Sequence, residues 1–379
     1  MTAETIFSNA RIVLGDEVIS GGVKIAGGEI ADIGTGRTKG GEDFEGDYLI
    51  PGLVELHTDH LEGHFAPRPG LRWNAVAAVQ AHDGQIATSG ITTVFDCLRM
   101  GADEDGGFET GEMRILADAL EGAQTDGRLR AEHFIHLRCE VSSPDVLADF
   151  DAFRNDRRVR IVSLMDHAPG QRQFQTMGQY TLYYKTQRGL SDAAFDAYVA
   201  KRKEQSNRYS ALHRKIIAEH CKSAGVTLAS HDDATLEHVG EAIEQGVRLA
   251  EFPTSIEAAR ASHDAGLSVL MGAPNLVRGG SHSGNIAARD LAEAGILDVL
   301  SSDYIPFSLL HATFVLADQV EAISLPEAIA MVTSTPARTV GLGDRGKIEA
   351  GRRADLVRVR VDKGIPVVRA VWREGRRVA

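Results

Sequence analysis

From Leu53 to about Leu342, short apolar runs alternate with Ala- and Glu-rich amphipathic stretches. Such alternation predicts βα units that assemble into a parallel sheet. The runs are Leu53–His57, Ile91–Asp96, His133–Glu140, Val159–Met165, Val226–Ser230, Leu249–Phe252, Leu267–Met271 and Ile296–Ser301. Eight strands suit a closed (β/α)8 barrel. The alternative, an open doubly wound sheet, lacks support because no run leads into a G-x-G-x-x-G or G-x-x-x-x-G-K-[ST] turn.

Both chain ends follow a different pattern, of short strands broken by glycine turns. At the start these are Ile6-Phe7, Arg11–Leu14, Gly22–Ile25 and Glu29–Ile33; at the end, Ala354–Val361, Ile365–Trp372 and Arg376–Val378. Because chain termini are commonly close in space, residues 1–51 and 345–379 are expected to build one small β-sandwich domain beside a catalytic barrel of residues 52–344. The crossover at 168–225 is long. Its first part, Ala168–Tyr180, has the composition of an irregular loop that covers a site, and its second, Ser191–Ala224, is helical, with Arg202, Lys203, Glu204 and Arg208 marking a solvated face.

Composition narrows the choice of partner. A formal net charge of -12 disfavours nucleic acid and anionic membrane surfaces. No basic n-region and no apolar stretch of membrane-spanning length is present, so a cytoplasmic location is expected. Cys97, Cys139 and Cys221 are scattered and form no CxxC, and read as small buried residues.

Candidate chemistry gathers at the carboxyl ends of the strands. His57 and Asp59 follow the first, Glu140 ends the third, His167 follows the fourth, His231 the fifth and Asp303 the eighth. In a barrel these ends open onto one face. Residues i and i+2 of a strand share a side, so His57 and Asp59 can reach one cation together. Any one of these histidines read alone would pass for a hydrogen-bonded half-buried group; their recurrence at strand ends points to a metal centre. Six imidazole and carboxylate donors exceed the three or four of a single ion, so two divalent ions are expected, of zinc, manganese or iron. Glu140 could bridge them, and Asp303 could accept a proton from the attacking water. His60 points away from Asp59, and His64 reads as a loop residue or a substrate contact.

Leu49–His57, with the late Gly346–Val357 segment, resembles the amidohydrolase superfamily of metal-dependent barrel hydrolases. Most members carry His-x-His at the first strand, where this chain has His57-Thr58-Asp59. That departure, with Pro67-Arg68-Pro69, His136–Glu140, Leu164–Gln171, Ala229–Asp233, Glu251–Thr254, Gly272–Gly284 and Ser302-Asp303-Tyr304, is similar to the phosphonate-metabolism diphosphatases of the carbon–phosphorus lyase pathway. The resemblance implies metal ligands at His57, Asp59, Glu140, His167, His231 and Asp303. It also implies release of pyrophosphate from α-D-ribose 1-methylphosphonate 5-triphosphate, with the 5-phosphate left behind.

Such an anionic small molecule requires local cations in an acidic protein. Arg68, Arg99, Arg138, Lys185, Arg188 and Arg278 lie on the same face, and the Arg278–Gly284 loop, which includes His282, could offer backbone N–H groups to phosphate. Two other readings compete: a C–N hydrolase such as a cyclic amidase or nucleobase deaminase, and a non-catalytic metal-binding scaffold. A neutral ring would not call for so many arginines. The exposed faces of the β domain suit a homodimer.

Overall fold

Alternating apolar runs and helices place eight strands side by side, as their pattern predicts. In the computed structural model, which describes residues 4–36, 40–101, 108, 111–172, 181, 191–280 and 285–379, the N-terminal strands are β1 (Glu4–Val13), β2 (Val18–Ala26), β3 (Glu29–Thr35), β4 (Glu42–Asp43) and β5 (Tyr48–Pro51). The central strands are β6 (Leu53–Thr58), β7 (Ile91–Met100), β8 (Glu132–Glu140), β9 (Val159–Met165), β10 (Thr227–His231), β11 (Leu249–Glu251), β12 (Ser268–Gly272) and β13 (Val299–Ser301). All pair in parallel in chain order from β6 to β13. The ring closes just beyond the strands: Asp59 N donates to Asp303 O at 2.9 Å and Asp303 N donates to His57 O at 3.1 Å.

The barrel is filled in layers, and the filling changes character along its axis. Phe95, Ile161, Ala229, Leu249, Leu270 and Val299 pack in one apolar cluster. Two residues further along, on the same side of each strand, stand Cys97, Ser163, His231, Glu251, Gly272 and Ser301. The period of two thus turns an apolar plug into a polar cup at the carboxyl ends.

Three strands follow the barrel: β14 (Leu356–Asp362), β15 (Ile365–Arg373) and β16 (Arg376–Arg377). They join the N-terminal strands in a second sheet, ordered β16-β15-β14-β5-β1-β2-β3 with β4 on β1. The two chain ends meet where β14 runs antiparallel to β5. One face buries Phe7, Phe44 and Trp372, whose ring centroids lie 4.6 to 5.9 Å apart; the other sends Val13, Ile50, Val357, Val359 and Val371 into a cluster shared with the barrel. Gly52 alone separates β5 from β6. A Cβ there would meet Thr92 Oγ1 at 2.2 Å, so the step between sheets requires glycine. Among the described residues no helix is long and apolar enough to cross a membrane.

Outside the barrel lumen, Asp96 lies one residue off the inward row of β7 and faces the helix Ala75–Thr88. It accepts from His82 Nε2 at 2.6 Å and pairs with His133 Nδ1 at 2.8 Å, while His133 Nε2 meets Asp83 Oδ1 at 3.3 Å. Burial opposes the charged imidazolium, but the Asp96 charge and the hydrogen bonds to Asp83 and Asp96 push His133 up to about 9. A histidine raised in the fold stabilises most below its ordinary value of 6.5, and that stability fades as pH rises through about 9. We expect His133→Gln to lower the thermal midpoint most near pH 6, with a pH-dependent part of about 3 kcal/mol that is gone by about pH 10. Melting curves of both proteins across that range check it; a difference independent of pH would remove His133 as the charged partner.

Candidate metal centre

The first half of the cup is built on β6. Glu55, fully buried, accepts from His57 N at 2.7 Å and from Ser302 N at 2.5 Å. Burial raises its carboxyl to about 7 against those hydrogen bonds. Glu55 thereby ties the end of the first barrel strand to the turn after the last, and Ser301 Oγ adds a bond to His57 O at 2.8 Å. His57 Nδ1 lies 3.1 Å from Glu251 Oε1, which leaves Nε2 toward Asp59 Oδ1 at 3.9 Å. Burial works to lower His57, but the Glu251 charge and hydrogen bond raise it.

Asp59 Oδ2 accepts from Arg138 Nη1 at 2.5 Å, whereas Asp59 Oδ1 is buried with no hydrogen-bond partner among the described residues. Burial raises the Asp59 carboxyl, yet Arg138, then His57 and Arg99, hold it well below the usual range. Asp303 stands among the same groups. Burial and the Asp59 charge raise its carboxyl, and His57, Arg138 and His231 only partly offset them.

The second half comes from β8, β9 and β10. Glu140 Oε2 meets His167 Nδ1 at 2.7 Å, and His167 N donates to Glu140 Oε1 at 3.2 Å. Burial disfavours both charges, but each offsets the other: Glu140 is held near about 2 and His167 is pushed up to about 9. His167 Nε2 lies 3.7 Å from Asp232 Oδ2, which also accepts from His231 Nδ1 at 2.8 Å. His231 Nε2 is then left buried, with no hydrogen-bond partner among the described residues. Its ring centroid is 5.7 Å from that of His57 and 5.8 Å from that of His167, so His231 stands between the two halves.

Asp232, Phe252 and Asp303, which follow β10, β11 and β13, take left-handed backbone angles with φ of 58°, 52° and 55°. Aspartate tolerates that region; phenylalanine does so at a cost. Strain of this kind clusters where side chains must be aimed.

The fold therefore brings His57, Asp59, Asp303, His231, His167 and Glu140 to one face, with Arg138 buried among them. His167 follows the fourth barrel strand and His231 ends the fifth, matching the count from the sequence. Arg68 and Arg278 are exposed on outer segments, and Arg99 pairs with Glu62 at 3.1 Å. Lys185, Arg188 and His282 lie outside the described residues. Arg202 departs from its reading as a solvated residue: Lys203, Glu204 and Arg208 are exposed, but Arg202 is buried and its Nη2 reaches Glu140 Oε1 at 3.3 Å. The helix Asp192–Ala224 lays one side over the cup, and a charge run cannot reveal which of its members that side includes.

Sequence reasoning did not assign Glu251 or Asp232. Glu251 ends the sixth barrel strand, so the strand-end rule applied to the candidate ligands could have found it; Asp232 adjoins His231 and carries no such signal. Glu251 orients His57, and its other oxygen accepts from Ser163 Oγ at 2.6 Å.

The donor set suits divalent cations. His57, His231 and Glu251 bring three donor atoms within 4.8 Å of one another, as do His167, His231 and Asp232. The unpartnered His231 Nε2 and Asp59 Oδ1 are buried polar atoms of the kind a cation would satisfy.

Comparison with known proteins agrees with this architecture. The amidohydrolase family model matches residues 48–378. The α-D-ribose 1-methylphosphonate 5-triphosphate diphosphatase of Escherichia coli (strain K12) is 46% identical over 377 residues, covering 98% of this chain and 100% of that enzyme. An imidazolonepropionase of Streptomyces griseus subsp. griseus is 26% identical, over 89% of this chain and 85% of its own length. Among solved structures, N-acetylglucosamine-6-phosphate deacetylase from Pasteurella multocida superposes with a TM-score of 0.65 at 13% identity, covering 98% of this chain and 99% of the other, a likeness of fold.

Proposed function

The chain belongs to the amidohydrolase family, and on that premise we propose that it is a diphosphatase that hydrolyses α-D-ribose 1-methylphosphonate 5-triphosphate to the 5-phosphate and pyrophosphate. The observation that carries this reading is the 46% identity to the Escherichia coli diphosphatase, which extends over 98% of this chain. A likeness of that extent takes in the whole barrel and every strand end that bears a candidate ligand, rather than one motif.

His57, Asp59, Glu140, His167, His231 and Asp303 would hold two divalent ions of zinc, manganese or iron. Bound there, the ions supply Lewis-acid polarisation of phosphoryl oxygens and acidify a water. The chain's own groups do the remainder. Asp303, in the turn after the last barrel strand and within reach of the Asp59, His57 and His231 charges, is placed to take the proton of the attacking water. Glu251 and Asp232 fix the ring orientations of His57 and His231. Arg138 supplies a permanent buried cation, its Nη1 2.5 Å from Asp59 Oδ2, whose charge would favour phosphoryl oxygens in the cup. Arg68 and Arg278, with Lys185 and His282, would gather the rest of the triphosphate. Pyrophosphate leaves with little acid assistance, so charge stabilisation and alignment carry most of the rate.

The test is incubation of metal-loaded protein with the ribosyl phosphonate triphosphate, ordinary nucleoside triphosphates and a panel of cyclic amides. We expect pyrophosphate in equal amount to the 5-phosphate, from the ribosyl substrate first. Ammonia or ring opening without pyrophosphate would instead make the protein a C–N hydrolase.

A further inference from the structure

Two histidines that the metal centre does not use, His60 and His64, meet a third. Both lie on the short helix His60–Phe65, and residues four apart share a helical face, so their rings stand 4.6 Å apart between centroids. His82, on the neighbouring helix Ala75–Thr88, completes the group. One donor nitrogen from each of His60, His64 and His82 falls within 4.8 Å of the others.

We propose that His60, His64 and His82 form a separate binding site for one zinc-type divalent cation, which clamps the segment after Asp59 to the helix Ala75–Thr88. Three geometric observations carry it. His60 Nδ1 and His82 Nδ1 are 3.4 Å apart. That is long for an N–H···N bond, but two nitrogens each about 2.0–2.1 Å from one tetrahedral zinc stand roughly 3.3–3.4 Å apart. Next, His82 Nε2 lies 2.6 Å from Asp96 Oδ1, so the carboxylate takes that N–H and Nδ1 is left as a lone pair directed at His60. This carboxylate–imidazole arrangement is the usual backing of a metal-bound histidine, and Asp96 is itself anchored by His133. Last, His64 Nε2 is buried with no hydrogen-bond partner among the described residues. A cation would satisfy that atom and give the contact between His60 and His82 a reason other than a weak hydrogen bond.

Three imidazoles leave a coordination position for water. The clamp has a consequence for the catalytic face, because the segment it fixes runs from Asp59 through Arg68. The site is independent of the centre built on His57 and His231, with which it shares no ligand.

The experiment compares wild type with His64→Ala and, as a second variant, His60→Phe, each stripped of metal and reloaded with Zn²⁺ or Co²⁺. Wild type should retain one more equivalent per chain after gel filtration than either variant. Crystals of the zinc-loaded wild type should show an anomalous peak between the His60 and His82 rings. Equal stoichiometry in all three proteins, or no anomalous density between those rings, would overturn the proposal. Should both variants fail to fold, the anomalous map of wild type decides alone.

Discussion

Asp303→Asn is expected to lower kcat by about 10² to 10⁴-fold, the range over which a positioned general base contributes. The substitution preserves size, and asparagine tolerates the left-handed backbone that residue 303 adopts, with φ of 55°, so the fold should survive. The two hydrogen bonds that close the barrel at this residue, Asp59 N to Asp303 O and Asp303 N to His57 O, are made by backbone and remain. What disappears is the carboxylate, which is both the proton acceptor and a candidate metal ligand, so the metal content of the variant is measured beside its rate. A general base must be deprotonated to act, so wild-type activity should fall on the acid side as Asp303 protonates. The variant should be slow at every pH and lack that limb. Steady-state rates from pH 4 to 9 check both statements, and an Asp303→Asn enzyme of full activity would remove the assignment.

Removal of divalent ions is expected to have an effect at least as large. Charge stabilisation worth several kcal/mol corresponds to a loss on the order of 10³-fold or more on chelation, reversed by zinc, manganese or iron. Reloading should carry a pH signature whose sign follows from the imidazoles. His57 is raised and His167 sits near about 9, so in the metal-free protein both hold protons that a cation must displace. Affinity should therefore rise from pH 6 toward pH 9, with protons released on binding. Calorimetry in buffers of different ionisation enthalpy measures that release. A flat affinity over this range would mean that His57 and His167 are not ligands.

The two effects separate once the metal content of Asp303→Asn is known, since Asp303 is itself a candidate ligand. Asp303→Asn leaves Glu140, His167 and His231 in place, whereas chelation leaves Asp303 free to act as a base without an electrophile. If chelation proved harmless while Asp303→Asn was inactive, the chemistry would rest on the carboxylate and not on a metal.

By itself the sequence determined the barrel, because its two periodicities are local. Apolar runs of strand length between amphipathic stretches specify the βα units, and the side-chain period of two specifies which residues reach each carboxyl end. His57 and Asp59, Glu140 and His231 were legible for that reason: each lies at the end of a run, and all such ends of a parallel barrel share one face. Tertiary structure decided which of the remaining polar groups meet them. Glu251 contacts His57 across 194 positions of sequence, and Arg202 reaches Glu140 from a helix whose buried side depends on how that helix lies over the cup. The meeting of His60 with His82, 22 positions apart, depends on the packing of one helix against another. Periodicity states which way a side chain leaves its own element; only the packed chain states what stands opposite it.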